Sequence, residues 1–556
     1  MKRKLTTKML VVLLVCVMAL FAACNNNSAT TDQQTAEQPT QAAKTDEAQE
    51  TQMSNFNETG LPIVNETVTF RVLTANSATG PSDFNDLAIM QSVEADTNVH
   101  IDWIMSGSGY DEKRALMLSS GDLPDFMTRS VTATELVKYG ADGTFIPMQD
   151  LIDEYAPNIV AIMDETPGLR AYVTAPDGNI YGVPRVLSGP WTAANGVGVI
   201  NQQWLDTLGL PMPTNTTEFF DTMLKFKTMD PNGNGVQDEL PITFGTWAAG
   251  QNISGVLGFS YIMSSFGIPL SSNYADVVDG EVVLLATLPG YKDAVKYLGE
   301  MYSNDLIDQE GFTMTRQQMD AKISQDPFTA GYVQIWDIAD DFSVAAALDD
   351  YTYMPPLDGP NGETAQTYIA PLYGVSRGAG VITKACEYPE AAMRWIDYIY
   401  DQKVSMQICE GPIGTRITDN GDGTYEIAPP PEGKTATQWK DENAMGGYGF
   451  FAITSDTFSN VFRIPTTDNK VAFMNEEMIP ISDTEPFPGV YYTLEEAEEM
   501  SLLQSDITSY VERKTSEWIM NGTIDDEWDD FLQELNNRGL DKWLEINQAA
   551  YDRFVK

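Results

Sequence analysis

The chain reads as an α/β protein with more than one domain-sized body. Two observations carry this. From residue 68 onward, segments with two-residue hydrophobic alternation are interleaved with segments of helical period. Such alternation implies βαβ units with parallel strands. The second observation is length: 556 residues exceed what one hydrophobic core serves.

The elements follow in order. Val68, Phe70 and Val72 alternate with polar residues and predict a strand. Residues 83–96 predict a helix, with Leu87, Met90, Gln91 and Glu94 marking its period and faces. Val99, Ile101 and Trp103 predict a second strand. Residues 110–119 predict a helix stopped by Gly121 and Pro124, and Phe126-Met127 a short strand. Further helices are expected at 151–155, 203–208, 217–227, 291–304, 389–400 and 495–518. No fixed-period repeat is present, which argues against a solenoid or propeller.

The N-terminus is an export signal. Lys2, Arg3, Lys4 and Lys8 precede an apolar run from Met9 to Phe21, closed by Ala22-Ala23-Cys24. The run is shorter than the roughly 20 apolar residues a membrane span needs. Leu20-Phe21-Ala22-Ala23-Cys24 resembles a bacterial lipobox, with Phe21 where Leu is usual. Cleavage before Cys24, the expected lipidation site, leaves residues 24–556. Simple secretion after Ala23 is the alternative. Residues 25–55 are rich in Asn, Gln, Thr and Ala and predict a disordered tether within 24–60.

The formal net charge is −47, and the only charged residues of the removed segment are basic, so the mature chain is more acidic still. Such a chain repels phosphate backbones, and nucleic acid is not an expected partner. The charge serves solubility at a cell surface. Cys386 and Cys409 remain for the body. An exported protein permits a disulfide between them, and two unpaired thiols are the preferred expectation. His100, the one histidine, lies in an alternating run and reads as an outward strand residue.

Five segments share a pattern. They are Ser120-Gly121-Asp122-Leu123-Pro124-Asp125; Asp177-Gly178-Asn179-Ile180-Tyr181-Gly182-Val183-Pro184; the helix and turn from Trp204-Leu205-Asp206 through Gly209-Leu210-Pro211 to Thr214; Pro389-Glu390-Ala391-Ala392 through Tyr398; and Glu527-Trp528 through Arg553. In that order they resemble the extracellular solute-binding proteins of bacterial ABC importers (family 1), and more narrowly the large sugar-binding lipoproteins of Gram-positive bacteria. The resemblance implies a type II, two-lobed periplasmic-binding-protein-like fold with a hinge and a ligand cleft. It places residues 61–190 and about 375–410 in lobe 1. Lobe 2 takes about 198–370 and about 411–556. The implied function is capture of a carbohydrate, with oligosaccharide preferred, and delivery to permease subunits. The protein would be a monomer, lipid-anchored on the extracellular face of the cell membrane.

One loop carries metal chemistry. Asp230, Asn232, Asn234, Asp238 and Glu239 fall at positions 1, 3, 5, 9 and 10, with Gly235 at position 6. A hard cation needs six to eight oxygens, and a glycine there makes the tight turn. Val236 offers its carbonyl. Position 12 is Pro241, where an EF-hand has a bidentate Glu, and Glu239 is the expected substitute. Related sugar-binding members resemble this loop and hold structural Ca2+. Without an ion it is an Asn/Gly-rich turn.

Sugar binding needs aromatic faces for C–H patches and polar groups for hydroxyls. The candidates are Trp191, Trp247, the pair Trp336-Asp337, Tyr373 and Tyr448, with Trp191 and Trp247 the foremost pair. Trp439 lies in the same late Gly-rich stretch as Tyr448. Trp395 and Trp518 belong to amphipathic helices and read as core. Asp125 is added because maltose-type relatives use the aspartate of the S-G-D-x-P-D turn to hold sugar hydroxyls. No GxSxG, HExxH or P-loop is present, so the chain is not expected to be an enzyme. A secreted polysaccharide hydrolase or lyase is the runner-up, and a sugar-sensing surface subunit a third reading.

Overall fold

The computed structural model describes residues 55–556 apart from 108, 130, 191–195, 246–257, 269–273, 343, 345, 366, 369–371, 373, 435 and 484–486. Ten strands form its two main sheets: β1 (Val68–Thr74), β2 (Val99–Met105), β3 (Phe126–Thr128), β4 (Val183–Leu187), β5 (Val197–Asn201), β6 (Leu240–Ile242), β7 (Ala330–Ile335), β8 (Tyr351–Tyr353), β9 (Val375–Ile382) and β10 (Ala452–Ile453). The first sheet has the order β10-β4-β9-β3-β1-β2, the second β8-β5-β7-β6. The predicted parallel pairing is present between β1 and both β2 and β3. β9 returns from the second sheet and inserts antiparallel between β3 and β4, so the first sheet is mixed.

Each sheet has its own core. Phe70, Phe126, Val183, Ile382 and Trp395 are buried in the first; Trp204, Phe219, Tyr332, Leu298 and Trp518 are buried in the second. The predicted helices occur with ends shifted by a few residues. Residues 83–96 divide into a short 3-10 turn at Phe84–Asp86 and a helix at Ala88–Thr97. The helix Tyr110–Ser120 ends at Gly121, whose φ of 78° is the left-handed cap that glycine adopts without strain. Trp395 and Trp518 are core residues, as their helical spacing predicts.

The late chain divides differently from expectation. Ile417, Tyr425, Phe450, Phe451 and Phe462, expected with the second body, lie in the first core. The cause is β10, which pairs in parallel with β4 and draws this stretch onto the first sheet. From Phe473 onward, Met474, Ile507, Trp518, Phe531 and Trp543 pack in the second core. Tyr491 returns to the first body and joins Leu73, Met127, Tyr181 and Val381 on that sheet's opposite face.

Two of the chain's passages between the sheets, after Leu187 and before β9, lie side by side, and the end of β10 lies against the first of them. Leu187 N–H donates to the Gly374 carbonyl (3.1 Å), and Ser188 N–H donates to the Ile453 carbonyl (2.8 Å). The hairpin before β4 is held by Asp177, which accepts from Asn179 N–H (3.0 Å) and Tyr181 Oη (2.7 Å). Gly182 is required there: a Cβ would lie 2.6 Å from the Arg377 carbonyl oxygen.

Candidate functional site

Open α/β sheets bind ligands beyond the C-terminal ends of their parallel strands. Two of those ends in the first sheet are Thr74 and Thr128. Both are buried, so their hydroxyls need partners. Thr128 Oγ1 donates to Thr74 Oγ1 at 2.7 Å, and both hydroxyls lie within hydrogen-bond distance of the Tyr448 carbonyl, 2.9 Å from Thr128 and 3.3 Å from Thr74. The Gly446–Tyr448 turn is thereby pinned over the strand ends. The Tyr448 ring has the Arg129 guanidinium carbon 4.4 Å from its centroid. Arg185 Nη1 donates to the Gly447 carbonyl at 2.9 Å. Arg129 and Arg185 were not among the sequence candidates; their signal is positional, because only the strand register brings them beside Tyr448.

The second sheet has a parallel arrangement. Trp336 follows β7 and is half-buried. Lys470 places Nζ 4.1 Å from the Trp336 ring centroid and donates to the Trp336 carbonyl. A cation on one face of an aromatic ring is attracted by the ring's negative π surface. Each of the two rings thus has one face taken by a cation.

Asp337 has a different duty from its neighbour. It is fully buried and caps the helix Ile338–Asp341, accepting from Ala339 N–H (2.9 Å) and Tyr353 Oη (3.2 Å). Asp125 lies at the start of β3, away from the strand ends. Its carboxylate accepts Arg71 N–H at 2.7 Å. Burial pushes the Asp125 carboxyl above its ordinary range, and the Arg71 N–H opposes that shift. Trp191, Trp247, Tyr373 and Cys24 lie outside the described residues. Trp439 is buried beneath the Arg416 guanidinium.

A cavity of about 780 Å3 lies between Thr134 of the first body and the long helix Leu494–Asn521 of the second. Tyr274, Phe487, Tyr492 and Trp543 give it aromatic surface; Ser501, Gln504, Ser505 and Thr508 give it polar groups. Its volume is of the size that holds a small ligand. Arg377 of β9 reaches its edge and donates to the Gly489 carbonyl. The Arg377 guanidinium carbon lies 3.9 Å from the Tyr172 ring centroid and 4.1 Å from that of Tyr491. The sequence predicts the helix at 495–518, but nothing in it tells that the face carrying Ser501, Ser505 and Thr508 lines a cavity.

The Asp230 loop joins the helix Thr216–Thr228 to β6. Asn232 Oδ1 accepts Asn234 N–H (3.0 Å), Asn234 Oδ1 accepts Val236 N–H (2.7 Å) and Asp230 Oδ2 accepts Gly235 N–H (3.1 Å). Asp238 Oδ1 accepts from the amides of Asn232 (3.2 Å) and Asn234 (3.1 Å). Glu239 is 2 % exposed, and neither of its carboxylate oxygens has a hydrogen-bond partner; Asp230 Oδ1 is likewise buried without one. Burial, with Asp238 and Asp230 beside it, pushes the Glu239 carboxyl up. Buried carboxylate oxygens without donors are costly. A cation coordinated by them removes that cost, so the residues present fit a hard divalent ion. Among the described residues no group of three or more His, Cys, Asp or Glu has metal-site geometry. The loop's fit therefore depends on its asparagine and backbone oxygens as well as its carboxylates. Cys386 and Cys409 are free thiols, each pushed up to about 12 by burial.

Comparison with known proteins gives consistent matches. A family model described as "Bacterial extracellular solute-binding protein" matches residues 85–406. The fructooligosaccharide ABC transporter substrate-binding protein FusA of Streptococcus pneumoniae serotype 4 is 32% identical over 508 residues, covering 88% of this chain and 91% of FusA. The structure of FusA in complex with kestose superposes with a TM-score of 0.75, covering 88% of this chain and 99% of that one. A structure of a FusA EF-hand mutant with fructo-nystose is 31% identical, with the same TM-score and coverage.

Proposed function

Because the chain belongs to the bacterial extracellular solute-binding proteins, a non-enzymatic component of transport, we propose that it captures an oligosaccharide between its two bodies and hands it to the permease of an ABC transporter. The observation that carries this is the pair of rings at the ends of the two sheets, Tyr448 on Arg129 and Trp336 on Lys470. Sugar rings present flat C–H patches, which stack on aromatic faces while hydroxyls bond to polar groups. With one face held by a cation, each ring has its other face as the proposed platform for a sugar. The relative FusA, described as binding fructooligosaccharides, supports an oligosaccharide over a monosaccharide.

The test is calorimetry with kestose, other neutral trisaccharides and their monosaccharides. Binding of a trisaccharide, weakened in Trp336→Ala and in Tyr448→Ala, is the expected result. Undiminished binding in both variants would remove these rings from the site.

We further propose that Asp230, Asn232, Asn234, Asp238 and Glu239, with the Val236 carbonyl, hold one calcium ion. The ion supplies positive charge to oxygens that otherwise lie buried without donors. The residues do the rest: the Asx turns at Asn232 and Asn234 curl the backbone inward, and Glu239 ties the loop to β6. This fastens the edge strand of the second sheet to the helix before it. The FusA EF-hand mutant supports such a loop in a relative. The proposed location is the extracellular face of the membrane, through lipid on Cys24.

A further inference from the structure

Arginine is scarce in this chain and mostly engaged. Lys and Arg number 33 against 80 Asp and Glu. Nine described arginines, from Arg71 to Arg553, lie within ion-pair distance of a carboxylate. Four do not among the described residues: Arg377 and Arg394, which donate to backbone carbonyls, and the neighbouring pair Arg129 and Arg185, neither of which has a carboxylate partner. In a chain so acidic, two neighbouring cations without counter-charge call for a reason.

Their placement supplies one. Arg129 has φ of 63°, a left-handed conformation uncommon outside glycine and concentrated at functional sites. Its N–H donates to the Ala379 carbonyl at 2.8 Å, which fixes the turn. In that conformation its guanidinium lies over Tyr448. Arg185 Nη1 is held by Gly447, and its Nε is buried without a hydrogen-bond partner. Burial and the nearby charge of Arg129 both push the Arg185 guanidinium below its ordinary range. The two cations therefore feel each other across the Gly447-Tyr448 segment, at the strand ends where ligands bind.

We propose that Arg129 and Arg185 receive an oxyanion carried by the oligosaccharide: a carboxylate or sulfate group on the unit next to the sugar that stacks on Tyr448, reaching the two guanidinium groups past the edge of that ring. This rests on the sugar-binding reading above and narrows its substrate class. Guanidinium groups bind such oxyanions through paired N–H donors, a geometry a single hydroxyl does not match. A neutral sugar accepts hydrogen bonds from them but leaves their mutual repulsion in place. The chain's overall negative charge does not forbid an anion, because at physiological salt exposed charges are screened beyond about 8 Å.

The experiment is calorimetry on the mature chain with three trisaccharides: neutral kestose, one bearing uronic acid and one bearing sulfate, at low and high salt. An anionic trisaccharide is expected to bind about tenfold or more tighter than kestose at low salt, with the advantage shrinking as salt rises. In Arg129→Gln the ratio of the two affinities should approach one, while Arg129→Lys retains part of it. Arg185→Gln provides the same comparison if Arg129→Gln melts early. The uronate and sulfate arms separate the two oxyanions. Kestose binding as tightly as both anionic sugars at low salt would overturn the proposal and leave the sugar-binding reading standing. Binding of none of these or other oligosaccharides would overturn both.

Discussion

Arg377 and Tyr491 come from distant parts of the chain, yet the Arg377 guanidinium carbon lies 4.1 Å from the Tyr491 ring centroid. Tyr172 closes the other face at 3.9 Å, and the Gly489 carbonyl accepts a hydrogen bond at the edge. One side chain of β9 thus clamps the segment that lines the cavity. Arg377→Met keeps the bulk and removes the charge. It should cost about 2–4 kcal/mol of stability, from a desolvated cation–π sandwich and a charged hydrogen bond. Thermal denaturation checks the loss, and small-angle scattering without sugar should show a larger radius of gyration. An unchanged melting temperature would show that the clamp contributes nothing.

Calcium removal should lower the melting temperature, since a ligand that binds only the folded state stabilises it in proportion to the logarithm of its saturation. Asp230→Ala should abolish the response. Glu239→Gln should raise the stability of the calcium-free chain, because it neutralises a buried carboxylate without donors, while weakening the ion's hold. The pH sign follows from the raised Glu239 carboxyl. In the calcium-free chain its penalty is complete above the raised value and fades as pH falls toward the ordinary glutamate range. The calcium-dependent increment in melting temperature should therefore shrink over the same descent. Elemental analysis showing no calcium after purification with calcium present would reject the site.

Trp336→Ala and Tyr448→Ala should each cost about 1–3 kcal/mol of sugar binding. Trp204→Ala, in the second core, should instead cost about 3–5 kcal/mol of stability. Calorimetry of binding against melting without sugar separates the two behaviours. A Trp336 variant that melts early yet binds sugar with full affinity would return that ring to the core.

Asp397 provides a pH test in the first body. Its carboxylate accepts Ile159 N–H (3.0 Å) and the Asn158 amide (3.1 Å), and burial raises its pKa to about 6. A raised carboxyl disfavours the folded state once ionised. Its penalty is complete above about 6 and is relieved as pH falls toward the unfolded value. Asp397→Asn should flatten the pH dependence of the melting temperature in that window. An unaltered profile would place the titration elsewhere.

Cys24→Ala should release the protein from the membrane fraction. Fractionation with the signal intact is the check, and persistent membrane association of the variant would overturn the lipid anchor.

The early elements were legible because their local period and their packing agree. Val68, Phe70 and Val72 alternate and are buried, and Trp395 and Trp518 occupy the buried faces their helical spacing assigns. The return of residues 375–410 to the first body is expected only through the family resemblance; the antiparallel insertion of β9 and the pairing of β10 were not legible, because pairing between strands far apart in sequence leaves no mark in either strand's own pattern. The same reason hid Arg129 and Arg185, which acquire meaning only through register. Asp125 shows the converse. Its motif was readable, yet the fold engages its carboxylate with Arg71 N–H. In the Asp230 loop every proposed ligand position lies within ten consecutive residues, so the pattern is legible in the sequence alone.

β10 is two residues long, yet it alters how the molecule can bend. Connected by a single strand, two bodies can swivel in any direction. Here two of the passages lie side by side at Leu187 and Gly374, tied by a backbone hydrogen bond, and the Ile453 carbonyl at the end of β10 holds Ser188 N–H at the start of the first passage. Two adjoining pivots fix a line, as the knuckles of a door hinge do, and β10 straps one of them to the sheet. The remaining soft coordinate is a page-like opening. Glycines inserted after Ser188 would loosen that strap, free torsion across the line and let the two rings meet a sugar out of line.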